Sequence, residues 1–532
     1  MFETGDPQFP YASTLRPVIG KNMVIASQPL AAQAGLQMLE YGGNAVDAAV
    51  AAAAVIAVVE PTNNGVGGDA FATIWDGQSL QGLNGTGRAP RSASLEQMVQ
   101  KYDGCMPERG WDSVTVPGSV SAWSALSERY GTLPFEQLMA PAIRYAADGF
   151  FVSPGVARKW MEQTNDLKDQ PNFSAAFLPG GQAPSFGQRF VQTELADTLD
   201  RIARSKGRDF YTGITAERIA AFAAQCDANL TFSDLASHRA VWTELLSTRY
   251  RSATVFEMPP NGQGLIALYA LAVLEHLELE RYQPDSFQAL HLQIEAIKLA
   301  CAHVQGYLGD PEQMQVSHAQ LMNPARIALA ASMIDSKRAQ DFQHSLPALA
   351  GTVYLAAGDA SGMMVSLIQS NYMGFGSGVV VPGTGIALQN RGAGFLLDKA
   401  SPARLGPGYR PFHTILPGFL QHDGHAQVAF GATGGAFQPQ GHVQLVVRLM
   451  TFGQNPQAIV DAPRFKIASG LKVTLEPGFS HTCVEGLRSL GHHITEQDTS
   501  TWDFGGMQIL QRRDGYYMGA RDSRRDSHVA VS

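Results

Sequence analysis

The chain has 532 residues, 45% of them hydrophobic, which is enough for a large buried core. A formal net charge of -8 and a pI of about 6.0 argue against general affinity for nucleic acid or anionic membrane. Four cysteines (Cys105, Cys226, Cys301, Cys483) form no CxxC pair and are too few for a disulfide framework. The fourteen histidines show neither HExxH nor zinc-finger spacing. Cys301 beside His303 and Cys483 beside His481 read as chance neighbours, and His492-His493 as a surface pair ahead of a strand.

In chain order, Met1 to Ser13 carries acidic residues, two prolines and no apolar segment, so no signal peptide is expected there. Gly42-Gly43-Asn44 reads as a turn with Asn44 as N-cap of an Ala-rich helix ended by Pro61. The run Ala48 to Val59 is too short to cross a bilayer and suits a buried helix. Asn63 to Gly68 contains GxGG, but neither a dinucleotide fingerprint nor a P-loop is complete, so a tight turn is expected. From about Ser92 to Ala350 the pattern is mostly helical, with Ala196 to Lys206 and Gln288 to Gly306 as examples. The stretch Ser332 to Leu349 has no glycine linker.

At Gly351 the character changes. Thr352 precedes the strand-like run Val353 to Ala357. The small-residue turn Gly358-Asp359-Ala360-Ser361-Gly362 follows, then a second run from Met363 to Ser370, which together give a hairpin pattern. Short strands continue to about Phe430, and a helix is expected from Gly441 to Phe452. If the Gly351–Thr352 bond were cut, Thr352 would open a strand as a new N-terminus. Its hydroxyl would then have a base on the same residue, an α-amine titrating at about 7.7–8.0 in peptides. Gly434-Gly435 is the candidate oxyanion hole, because glycines let backbone N–H groups approach closely and a helix follows. No GxSxG occurs, which disfavours a conventional serine hydrolase.

The stretch from Gly351 to Phe395 resembles the start of the small subunit of the γ-glutamyltranspeptidase family. Asp359 falls seven residues after the threonine, and Phe375-Gly376 follows later. Other landmarks stand in the family's order: Gly42 to Ala48, Glu60-Pro61, Gly65 to Gly68, Arg410-Pro411, Gly431 to Gly435, Asp461 to Phe465, and Asp522-Ser523-Arg524. The resemblance covers roughly residues 15 to 530. It implies an α+β fold, the four-layer αββα sandwich of the N-terminal nucleophile hydrolases. It implies self-cleavage into residues 1–351 and 352–532, which stay together as a heterodimer; a dimer of heterodimers is left open. It implies Thr352 as nucleophile and Gly434 and Gly435 beside it. It implies no metal or organic cofactor, and no nucleic-acid or membrane partner. Secreted members normally carry an export signal, so the N-terminus as read favours the cytoplasm.

Substrate recognition departs from the transpeptidase pattern. Where those enzymes hold an α-amine with an acidic residue in an Asp-Asp-Phe run, this chain has Gly392-Ala393-Gly394-Phe395. Arg391 stands just upstream. His413-Thr414 replaces a Ser-Ser pair, Tyr372 replaces the family's asparagine directly after a Thr-Leu, and Thr86 replaces the carboxylate-binding arginine, with Arg88 two residues on. A site that loses an anion and keeps cations suits a substrate with a carboxylate but no α-amine. The resembling branch hydrolyses oxamate, and a small-molecule substrate of that class is expected. Arg88, Ser370, Tyr372, Arg391, His413 and Thr414 are the candidate substrate residues, with structural salt bridges as the alternative for the two arginines. The rival functions are a glutathione hydrolase or transpeptidase on the same scaffold and an uncleaved binding protein.

Overall fold

The computed structural model describes residues 15–343, 351–497 and 504–532. The expectation for Met1 to Ser13, and the end of the Ser332 to Leu349 stretch, lie outside the described residues. Two antiparallel seven-stranded sheets dominate. One runs in the order Val18–Gly20, Tyr516–Arg521, Met507–Arg513, His425–Ala432, Gly418–His422, Ala253–Glu257, Leu246–Tyr250. The other runs His528–Val531, Met23–Ala26, Gly351–Gly358, Met364–Tyr372, Asp69–Trp75, Leu80–Asn84, Val241–Thr243.

The hairpin expected at Gly351 is present. Tyr354 pairs with Ile368 and Gly358 with Met364. Its position in the middle of a sheet explains its composition: both strands are buried along their whole length, so they read as near-continuous apolar runs. Tyr354, Ile368 and Phe71 from this sheet pack with Phe419, Ala429 and Leu510 from the other, forming the core between the two.

A second core lies under the helices of the N-terminal half. At its centre is Ala45–Val59, every residue of which is buried. A helix that is apolar on all sides must be enclosed, and alanine permits close approach. As expected, Asn44 is its N-cap; the side chain accepts from the backbone N–H groups of Val46 and Asp47, while Asp47 Oδ2 accepts from Asn44 N. Asp359, from the hairpin turn, accepts from Ala45 N at 2.8 Å and so satisfies another donor of that first turn.

A third core joins the helices Gly264–Leu274, Phe287–Val304 and Gln438–Met450 to the sheet that carries His425–Ala432. The expected helices are found at Thr193–Arg204, Phe287–Val304 and Gln438–Met450, each within a few residues of the predicted bounds. The helical reading of 92–350 was too broad, since Val241–Thr243, Leu246–Tyr250 and Ala253–Glu257 are strands. The last two strands alternate inside and outside over five residues each, too short a pattern to stand out beside long helices. His492 is buried against His291 at 2.8 Å, not on the surface; only His493 of that pair is exposed. The four cysteines are free. No helix among the described residues is long and apolar enough to cross a membrane.

Gly431 lets the two sheets approach closely: a Cβ there would sit 2.2 Å from the Tyr354 ring. Gly431→Ala is therefore expected to cost about 1–3 kcal/mol by overpacking, read as a lower urea midpoint at unchanged m-value.

Candidate active site

The strand register breaks at Thr352. Gly351 pairs with Tyr372 and Val353 with Gln369, so the single residue Thr352 faces two, Ser370 and Asn371, and the bulge lies on the strand opposite it. A bulge re-aims a side chain within an otherwise regular ladder. Thr352 Oγ1 lies 3.4 Å from Ser370 Oγ. The Ser370 hydroxyl donates to the Gly351 carbonyl oxygen at 2.6 Å and accepts from Tyr372 N at 2.7 Å. Two hydroxyls and the carbonyl of the peptide before Thr352 thus form one buried chain. Tyr372 completes the turn with φ of 74°, a conformation that a bulky residue adopts only when its surroundings enforce it.

Asp69, the residue after the glycine loop, pairs in register with Ser370. Its carboxylate accepts from Arg391 Nε at 3.2 Å and Nη2 at 3.3 Å, and from His413 Nε2 at 2.6 Å. Arg391 Nη1 donates to Thr414 Oγ1 at 3.0 Å, and its guanidinium lies 4.4 Å from the centre of the Tyr372 ring. All of these side chains are buried. Burial by itself would raise the Asp69 pKa, but the charge of Arg391 and its hydrogen bonds outweigh that and hold it below the usual carboxylate value. His413 is pushed down to about 4, by burial first and by the Arg391 charge second, with Asp69 opposing. Neutral His413 donates through Nε2 to Asp69, leaving Nδ1 to accept from Ile415 N at 3.4 Å.

Gly434 and Gly435 have φ of 109° and 60°, in the left-handed region that favours glycine. They open the turn Gly435–Phe437, which runs directly into the helix Gln438–Met450. Gln263 Nε2 ties this loop to the Asp69 cluster, donating to Gly435 O at 2.9 Å and Thr414 O at 2.6 Å. The loop is braced from behind. Thr433 N donates to Gly506 O at 2.9 Å, and Thr433 Oγ1 accepts from Gly506 N at 2.8 Å. Arg464 holds the neighbouring Phe504 and Gly505 carbonyls while paired with Asp522 at 2.5 Å. Two distant sequence landmarks, Asp461 to Phe465 and Asp522-Ser523-Arg524, therefore meet beneath one loop.

The candidates Thr352, Ser370, Tyr372, Arg391, His413, Thr414 and Gly435 are thus joined in one network. Arg88 is not part of it: it donates to Gly408 O at 2.9 Å and to Glu312 at 3.1 Å. For both arginines the structure shows the ion-pair alternative rather than an unengaged fork. The cation brought to Thr86 is Arg410, whose Nη1 donates to Thr86 Oγ1 at 2.9 Å. Sequence reasoning missed Asp69, Gln263 and Arg410 as site residues. A signal for Asp69 existed: a carboxylate opening an otherwise apolar strand must be paired when buried. Beside Tyr372 and Met373 lies a cavity of about 830 Å³, walled also by Ala393, Gly394, Phe412 and Leu308.

A family model described as gamma-glutamyltranspeptidase matches residues 31–532. The chain belongs to the γ-glutamyltranspeptidase family. Within it, the chain is similar to the oxamate amidohydrolase proenzyme of Klebsiella pneumoniae, 35% identical across 96% of this chain and 98% of that protein. It is also similar to a glutathione hydrolase-like proenzyme of Bacillus subtilis, 34% identical over the same shares. Among solved structures, the cephalosporin acylase from Bacillus halodurans superposes with a TM-score of 0.94 at 44% identity, covering 99% of this chain and 98% of that one.

Burial of neutral His413 is expected to make this family member sensitive to acid. Because the folded pKa of His413 lies below the ordinary 6.5, its contribution to stability is complete above pH 6.5 and is lost as pH falls toward 4. The loss amounts to about 3 kcal/mol. Urea midpoints are expected to fall steadily across that window, with a shallower slope in His413→Gln.

Proposed function

We propose that this protein is a self-processing amidohydrolase with Thr352 as nucleophile. The observation that carries the reading is the Ser370 hydroxyl, bonded to the Gly351 carbonyl oxygen at 2.6 Å with Thr352 Oγ1 3.4 Å away. In processing, Thr352 Oγ1 attacks the Gly351 carbonyl carbon while Ser370 polarises its oxygen. The C–N bond breaks, and the departing nitrogen takes up the proton lost by the hydroxyl and becomes the Thr352 α-amine. Water then hydrolyses the ester and leaves a Gly351 carboxylate. The helix–sheet–sheet–helix packing is read as the αββα sandwich of N-terminal nucleophile hydrolases, and residues 1–351 and 352–532 as the two subunits of a heterodimer.

In turnover the α-amine takes the hydroxyl proton, Thr352 attacks the substrate amide, and the Gly434 and Gly435 N–H groups receive the oxyanion. Such donors are worth about 3–4 kcal/mol each. The amine then protonates the leaving nitrogen, and water releases the acid from the acyl-threonine.

For the substrate we favour a small carboxylate-bearing amide, oxamate above all. The 35% identical relative and the absence of an acidic residue at Gly392 to Phe395 support this. A second reading, an amide with a bulkier acyl group, is favoured by the cavity of about 830 Å³ beside Tyr372. It is also favoured by the likeness to a cephalosporin acylase. Glutathione hydrolysis remains the family alternative.

Thr352→Ala should give one band near 57.1 kDa on a denaturing gel and no ammonia from any amide. Cleavage before residue 352 in that variant, or retained activity, overturns the assignment. Ammonia release from oxamate, set beside glutamate release from glutathione and acid release from bulky N-acyl amides, ranks the three substrate classes.

A further inference from the structure

The Glu60-Pro61 landmark has no part in the mechanism above, yet Glu60 is a buried carboxylate whose partner Asn63 lies against Gly351. Its Oε1 accepts from Asn63 Nδ2 at 2.6 Å and its Oε2 from Ser27 Oγ at 2.9 Å. With the Asn63 amide nitrogen committed to Glu60, Asn63 Oδ1 is turned toward Gly351: a Cβ built on Gly351 would lie 2.8 Å from that oxygen. The Asn63 backbone carbonyl accepts from Asn371 N at 3.2 Å, next to Ser370, so the loop is fixed to the same hairpin from a second side.

The charged groups acting on Glu60 are Arg525 and Asp526. Burial pushes its carboxyl up to about 7, against the hydrogen bonds from Asn63 and Ser27 and the charge of Arg525, while Asp526 adds to the rise. Arg525 in turn donates to Thr433 Oγ1 at 3.1 Å, at the base of the Gly434 loop. Glu60 is thus linked through Asn63 to Gly351 and through the charge of Arg525 to the Gly434 loop.

Resting on the assignment of Thr352 as nucleophile, we propose that Glu60 is a positioning residue. By fixing the Asn63 amide, it sets an acceptor oxygen beside the place where the Thr352 α-amine is released when the bond to Gly351 breaks. An acceptor there orients the amine toward its own hydroxyl, and it also stabilises the ammonium form, raising the amine pKa.

The test uses processed enzyme carrying Asn63→Ala, Glu60→Ala or Glu60→Gln, with the ammonia- or acid-release assay on whichever amide the wild type turns over. Asn63→Ala and Glu60→Ala are expected to lose at least tenfold in kcat, with KM changed less than threefold. The acidic limb of kcat/KM should move to lower pH in both. Glu60→Gln keeps an oxygen to accept from Asn63, and should retain most of kcat and the wild-type limb. Should Glu60→Ala fail to fold or process, Asn63→Ala carries the same comparison. Wild-type kcat and an unmoved limb in Asn63→Ala overturn the proposal, as does a folded, processed Glu60→Gln as impaired as Asn63→Ala. Failure of the Thr352 assignment shows separately, as cleavage or activity in Thr352→Ala.

Discussion

The pairing of Gly351–Gly358 with Met364–Tyr372 is the constraint on which the other parts of the site depend. It brings Ser370 to the Gly351 carbonyl and Tyr372 opposite Gly351, and the neighbouring strand sets Asp69 opposite Ser370. Val353, Leu355 and Ala357 face one core and Tyr354 and Ala356 the other, so a slip of one residue would send every side chain into the wrong core. The position of Thr352 is therefore as firmly set as the core itself. The bulge of Ser370-Asn371 opposite it interrupts the regular ladder at that point.

Around this hairpin the polar groups are arranged in closed pairs. Asp69 is satisfied by Arg391 and His413, and Asp522 by Arg464 and Arg524. Buried charges persist in a fold only with partners of this kind, and removing one partner is far more costly than the pair's net worth. The consequence for chemistry is a neutral setting: Arg391 reaches Tyr372 with its charge already balanced by Asp69. Beside this balanced pair lies the cavity of about 830 Å³ that Tyr372 and Met373 help to wall.

Much of this was legible in the sequence. The hairpin, the Asn44 cap, the buried alanine helix and the helix after Gly435 follow from local rules of turn chemistry and periodicity, which act over a few residues. What was not legible is long-range. Thr86 meets Arg410, Gln263 meets Gly435, and Arg464 meets Asp522, and nothing in the local pattern of either member names the other. Arg88 and Arg391 looked alike as cations near a site, and only the fold shows that one is held by Glu312 at the surface and the other by Asp69 inside. The short strands between residues 241 and 257 were hidden by their length.

The strand order carries one more consequence. Gly351–Gly358 lies between Met23–Ala26 and Met364–Tyr372, and Met364–Tyr372 is followed by Asp69–Trp75, while the other sheet also mixes strands from before and after residue 352. A break at that point is a nick in an interwoven fabric, not a division between lobes. Either fragment alone would expose unpaired edges in both sheets, the kind of surface that drives aggregation. Were the chain cut before Thr352, neither piece would have a folded life apart from the other.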